Sequence, residues 1–410
     1  MKSLLYRYAS VPRHIHHLML ADVCIQIINS AFTLLINYLM LEHGFKDYEI
    51  ASMVGNRYLT VLLCAVPLAI IARGRRLKPF LMAGAVTSPL VALLLIASIH
   101  LHYTEMIRLL MAAWGVSFSL VQILVMPYVL SNGDKAYLTE SITLFFSAAN
   151  FTTIFTGLLA YSLPLLHPSF NTTALLVIFS TLGFGAVWFV HMLPDAEHHS
   201  LPARRRVSVS LSEYDWPLIL QAVIPTFLIA LGAGFTIPVI NLFFHDVHGM
   251  PANEFSIINS VAFTLVAFSS LIIPSVKRRY GYQVAITGVQ SVAIILLFMM
   301  ATTEWYRHTP YGYWVAVITF VLRQPFMNMA GPMTSELTMQ FVGERNRQLL
   351  SALNASIWSG CWFVSAKAFS VLREAGVAYC NIIFITVALY IAGVAWYYLL
   401  IRRHERVAIR

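Results

Sequence analysis

The sequence predicts an all-α membrane protein of twelve transmembrane helices, arranged as two halves of six. Three observations carry this prediction: the composition, the spacing of apolar segments, and an internal repeat. Of 410 residues, 59% are hydrophobic and only 11% are charged. A soluble domain carries about 25% charged residues. A mean hydropathy of +0.72 is too apolar for a water-facing surface.

The apolar segments fall at 17–41, 49–72, 79–100, 107–131, 138–164, 172–193, 216–244, 255–276, 283–302, 312–335, 348–372 and 378–401. Each is near the ~20 residues that cross a hydrocarbon core as a helix. Lipid offers no hydrogen bonds, so the backbone of each must satisfy itself helically. Strands of a membrane barrel would be about half as long. The first segment is too long for a signal-peptide core and lacks a small-residue cleavage site after it, so it reads as a retained helix.

Charge sets the expected orientation. The net charge is +9. With the N-terminus inside, twenty Lys and Arg fall in inner segments, among them Lys2, Arg7, Arg13, Arg73, Arg75, Arg76, Lys78, Lys135, Arg204, Arg205 and Arg206, and then Lys277, Arg278, Arg279, Arg345, Arg347, Arg402, Arg403, Arg406 and Arg410. Only Lys46, Arg307 and Arg373 fall in outer loops. This asymmetry places both termini in the cytoplasm. The basic runs are therefore topology signals rather than a nucleic-acid surface, with contact to anionic headgroups as a secondary role. Cys24, Cys64, Cys361 and Cys380 all lie in predicted spans without a CxxC, and read as packing residues.

The longest polar stretch between spans runs from Leu193 to Pro217 and divides them six and six. We expect an N-terminal bundle at 1–193, a cytoplasmic linker at 194–215 and a C-terminal bundle at 216–410. The halves also resemble each other. "INYLMLEHGF" from Ile36 pairs with "INLFFHDVHGM" from Ile240, matching Asn37 to Asn241, His43 to His248 and Gly44 to Gly249. Glu49 matches Glu254, and Met126-Pro127 falls on Gly331-Pro332. Both halves place Pro seven residues before Gly in a basic turn, as Pro67 and Gly74, then Pro274 and Gly281. Matches in one order at one spacing indicate duplication. Copies with an even number of spans point the same way, which makes a parallel repeat.

With these features, the chain resembles the major facilitator superfamily of secondary transporters, and its bacterial members in particular. "GAGFTIPVINLFF" (Gly232 to Phe244), "LRQPFMNMAGP" (Leu322 to Pro332) and "GERNRQLLSALN" (Gly343 to Asn354) resemble helix seven, helix ten and the loop after it in that family. The loop after helix two departs from the family's Gly-x-x-x-Asp-Arg-x-Gly-Arg-Arg. Gly74, Arg75 and Arg76 fit its end, but Ile71 stands at the Asp position and Pro67 at the first Gly. The resemblance implies two six-helix bundles around a central cavity lined by helices one, four, seven and ten. It also implies alternating access by a monomer in a bacterial inner membrane.

Polar residues inside spans mark the expected site, because they are costly there. Helix one carries Asp22, Gln26, Asn29, Thr33 and Asn37 within roughly an 80° sector at 100° per residue. This stripe faces either the cavity or a neighbouring helix. An aspartate withdrawn from water favours its protonated form, which suits Asp22 to carry protons. Glu336, at the inner end of helix ten, is a second candidate. Helix ten aligns Gln324, Asn328, Gly331 and Ser335, with Arg323 at the edge of that face. Arg57, Arg108 and Lys367 are the other in-span cations. Arg108 and Lys367 can snorkel to the interface, which leaves Arg57 and Arg323 as guanidinium forks for an anionic group. The expected substrate-binding set is Gln26, Asn29, Asn37, Arg57, Arg323, Gln324 and Asn328. Pro225, Gly232, Gly234 and Pro238 in helix seven form either a gating hinge or a fixed kink.

The expectation is a transporter of a small organic, anionic or partly anionic solute, coupled to protons, with no enzymatic activity, cofactor, metal or nucleic acid. A lipid flippase and a non-transporting sensor or assembly factor are the alternatives on the same fold.

Overall fold

The computed structural model describes residues 11–72, 75–134, 137–194 and 214–408. Most of the expected linker lies outside these residues, as do Lys2, Arg7, Arg73, Gly74, Lys135, Arg204, Arg205, Arg206 and Arg410. Among the described residues every long element is a helix. The first six spans are α1 (Arg13–Glu42), α2 (Asp47–Ala72), α3 (Lys78–His100), α4 (Thr104–Asn132), α5 (Leu138–Leu166) and α6 (Thr172–Gly183, continued by Gly185–His191). The next three are α7 (Trp216–Thr236, a 3-10 turn at Ile237–Val239, then Ile240–His248), α8 (Ala252–Tyr282) and α9 (Gln283–Gly288, then Val289–Thr302). The stretch Pro310–Glu374 is two helices joined at Gly343, which leaves helical geometry at φ 74°. These are α10 (310–342) and α11 (344–374). The chain closes with α12 (Tyr379–Ala408).

Among the described residues eight of these spans are long and apolar enough to cross a membrane: α1, α3 to α7, α9 and α12. Three of the remaining helices carry Arg57, Arg323 and Lys367. Local signals explain several helix starts. Asn171 accepts from Ala174 N at 2.9 Å to cap α6, and Thr309 accepts from Gly312 N at 3.2 Å to cap α10. The repeated His-Gly ends also share a geometry. Gly44 and Gly249 close α1 and α7 at φ 82° and 66°, a left-handed conformation that costs glycine little.

The chain divides into two compact units, Met1–Phe45 with Asn56–Ser208, and Lys46–Gly55 with Val209–Arg410. In the first, α1 packs against α3, α5 and α6, and α3 packs against α4 and α6. Phe32 and Trp114 form its centre, with ring centroids 4.9 Å apart. In the second, α7 packs against α12 and the α10–α11 stretch, which also holds α8 and α9. The first turns of α2 belong to this second unit. There Lys367 Nζ donates to Ser52 O and Oγ at 2.9 and 2.8 Å, and Arg373 Nε donates to Asp47 Oδ2 at 2.5 Å. Tyr379 bridges Asp47 and Asp246 through its hydroxyl, at 2.9 and 2.7 Å.

Close helix approach rests on small residues, as expected where lipid removes the hydrophobic drive between helices. A Cβ on Gly115 would lie 2.2 Å from Thr60 Oγ1 and 2.5 Å from Arg57 O. The latter is backbone and cannot move aside alone. Gly331 has open space instead. Gly115→Val should therefore destabilise the detergent-purified protein by about 1–3 kcal/mol, the usual cost of overpacking. Gly331→Ala should leave thermal unfolding near wild type. Equal melting temperatures for G115V and wild type would refute the packing assignment.

Candidate functional site

The second unit holds a cavity of about 320 Å³. Its wall is built from α10, which contributes Arg323, Gln324, Asn328, Thr334 and Ser335. Opposite elements add Gln290 of α9, Asn354 and Trp358 of α11, and Tyr390 and Tyr397 of α12. None of these lining residues is acidic.

Arg323 is only 2% exposed. Its Nη2 donates to the Tyr390 hydroxyl at 3.4 Å, its Cζ lies 6.0 Å from the Tyr390 ring, and its Nε has no hydrogen-bond partner. Among the described residues no carboxylate pairs with it. A guanidinium cannot lose its charge here, and its unfilled Nε is a free donor on a polar wall. Asn328 is exposed and donates to Gln324 O at 2.8 Å, so its carbonyl remains available.

The first unit contains a second buried guanidinium. Arg57 is 9% exposed, and its Nη2 donates to Asn29 Oδ1 at 2.5 Å. Its Cζ sits 3.9 Å over the Trp114 ring and 5.1 Å over Phe118, a cation–π stack. Asn29 in turn donates to Gln26 Oε1 at 3.4 Å. Gln26, Asn29 and Arg57 are therefore one connected group. Along α1, Asp22 lies one turn from Gln26, about 6 Å by helical rise, and Asn37 lies about 12 Å beyond Asn29. Asp22 is 5% exposed and its Oδ1 has no hydrogen-bond partner. Asn37 is buried.

The remaining predicted residues hold other positions. Glu336 receives Lys277 Nζ at 2.6 and 2.7 Å and Gln340 Nε2 at 3.1 Å, which ties the end of α8 to α10. Gly232 and Gly234 lie at tight helix contacts. A Cβ would meet the Tyr390 ring at 2.9 Å in the first case and Ser365 Cβ at 2.8 Å in the second. Pro238 sits in the 3-10 turn that breaks α7. Pro225 lies within α7 and cannot donate to Gln221 O. That carbonyl accepts Trp396 Nε1 at 3.0 Å instead. Arg108 is exposed and pairs with Glu105 at 2.7 Å.

The reading from sequence missed Trp114, Trp358, Tyr390 and Tyr397. One signal for the last two was present. Thr386, Tyr390, Gly393 and Tyr397 recur at i, i+4, i+7 and i+11, on one face of α12. Thr386 Oγ1 donates to Gly232 O at 3.0 Å, and Thr226 Oγ1 lies 3.3 Å from the Tyr397 hydroxyl, so this face binds α7 while Tyr390 and Tyr397 line the cavity.

No curated protein matches the chain by sequence. Among solved structures, a variant of the nucleoside transporter NupG superposes with a TM-score of 0.75 at 14% identity, covering 94% of this chain and 99% of that one. A bacterial homologue of the iron transporter ferroportin, in its inward-facing state, gives 0.73 at 14% identity, covering 95% and 98%. A D-xylose–proton symporter gives 0.70 at 13%, covering 94% and 97%. Identities this low establish a shared fold. The family model for the Major Facilitator Superfamily matches residues 18–366. With its helical spans and a polar cavity in the second unit, the chain belongs to the Major Facilitator Superfamily, and is a multi-pass membrane transporter rather than an enzyme.

Proposed function

We propose that the protein is a proton-coupled secondary transporter of a small organic solute bearing an anionic group. One observation carries this reading: Arg323, with its Nε unfilled and no carboxylate partner among the described residues, stands on the wall of a cavity whose lining includes amides, hydroxyls and aromatic rings but no acid. Gln324 and Asn328 would orient the solute beside it. In the other unit Gln26, Asn29 and Arg57 form the second candidate group, with Asn37 further along the same helix.

Asp22 is the proposed proton carrier, since it is buried without a fixed counter-ion among the described residues. Glu336 is the second candidate, though its pairing with Lys277 suits it better to holding the α8–α10 end together. The 3-10 turn at Pro238 is the proposed bend point of α7 during alternating access. Gly232 and Gly234 permit its close packing. One protein of the same fold is itself named a proton symporter. The unequal distribution of Lys and Arg supports a bacterial inner-membrane location with both termini cytoplasmic. The same reading takes the protein as a monomer, with bundles at 1–193 and 216–410.

Counterflow of a panel of labelled organic anions into proteoliposomes tests the reading. Arg323→Gln should raise the half-saturating concentration of the transported anion roughly ten- to hundredfold, matching the ~1.5–3 kcal/mol of a charge-assisted bond. Arg323→Lys should fall between, because it keeps the charge and loses the fork. Unchanged affinity in R323Q would sink the assignment.

Asp22→Asn fixes a neutral side chain. We expect it to retain counterflow but to lose uptake driven by an imposed pH gradient. Full gradient-driven accumulation in D22N would exclude Asp22 as carrier.

A further inference from the structure

A second cleft lies at one end of the second unit, between the start of α7 and the end of α12. It measures about 280 Å³ and is lined by Gln221, Trp396, Leu399, Leu400 and Arg403. Three features distinguish it from the transport cavity.

First, its position is at the water–hydrocarbon boundary. Arg403 ends the apolar span Tyr379–Arg403, and Trp216 begins the span Trp216–His248. Tryptophan at a span end marks the headgroup level. Second, its chemistry is split along its depth. Leu399 is 53% exposed beside Trp396, an apolar wall open to the surroundings. Arg403 stands at the polar end and is exposed, and the adjacent residue, Arg402, is exposed just outside the lining. Third, its parts are held in place. Gln221 O, released by Pro225, accepts Trp396 Nε1 at 3.0 Å, and Gln221 Oε1 accepts Arg403 Nη1 at 2.7 Å. Arg402 Cζ lies 4.7 Å from the Tyr398 ring. Among the described residues neither guanidinium has a carboxylate partner.

From this arrangement we infer that the α7–α12 cleft binds one anionic phospholipid. The phosphodiester sits on Arg403 and Arg402, and an acyl chain lies along Leu399 and Trp396. An apolar wall continuous with a cationic end fits a lipid and not a free anion, which would leave the wall uncovered. Pro225 takes part indirectly, because it frees the carbonyl that positions the indole.

Native mass spectrometry of the full chain in detergent tests this, with phosphatidylglycerol and phosphatidylcholine supplied in equal amounts. Wild type should retain one phosphatidylglycerol in preference to phosphatidylcholine. Arg403→Gln should cut that preference about fivefold, the effect of one basic residue near an anionic surface, and R402Q/R403Q should abolish it. Arg403→Lys should restore part of it, and Arg75→Gln, a basic change elsewhere, should leave it intact. Equal retention of both lipids by wild type would overturn the proposal. So would a preference that survives R402Q/R403Q, or displacement of the lipid by equimolar glycerol phosphate, which would indicate a free-phosphate site. Transport plays no part in the readout, so failure here leaves the role of Arg323 untouched.

Discussion

A polar group inside a membrane protein has no water to fall back on, and this constraint organises both units. It turns each span into a helix that satisfies its own backbone. It then governs every place where that satisfaction is incomplete. Pro225 withdraws one donor from α7, and Trp396 of α12 reaches across to fill the gap. Ser365 of α11 donates to Leu231 O at 2.7 Å, and Thr386 of α12 to Gly232 O at 3.0 Å. Such bonds stitch α7 to its two neighbours along most of its length. They require the backbones to come close, which is why glycine occupies positions 232 and 234.

Against that background the unsatisfied groups gain meaning. Arg323 Nε and Asp22 Oδ1 are buried polar atoms without hydrogen-bond partners, as are Ser88 Oγ, Thr156 Oγ1, Gln290 Oε1 and Asn354 Oδ1, but Arg323 and Asp22 differ from those four in being ionisable. Arg57 has an unpartnered Nε as well, but its charge is spread over Trp114 and bonded to Asn29. The two buried guanidiniums therefore differ. Arg57 is largely accommodated by its own unit, whereas Arg323 has only a long bond to Tyr390 and a cavity in front of it.

The end of the second unit shows a different solution. At the span ends, charge is balanced by pairing within the protein where partners exist, as in Lys277 with Glu336 and Arg373 with Asp47. Arg402 and Arg403 have no such partner among the described residues. Arg403 instead shares a cleft with the apolar side chains of Trp396 and Leu399.

Much of this was legible in the chain. Composition and segment length determined a helical membrane protein. The matched pairs Asn37 with Asn241 and Gly44 with Gly249 revealed the duplication, because a helix end that needs a left-handed residue keeps its glycine in both copies. The polar phase of helix ten also named Gln324, Asn328 and Ser335 as one wall, since helical periodicity alone decides which residues share a face. Periodicity could not say which way Arg323 turns, because it lies about 100° from that face. The answer came from Tyr390, 67 residues away, whose hydroxyl draws the guanidinium to the cavity. Nor could it single out Asn29 from Asp22 on the same stripe, since Arg57 arrives from another helix to bond Asn29, which in turn bonds Gln26. One helix dictates the angle at which a side chain leaves it; only the packing of the others decides what that side chain meets.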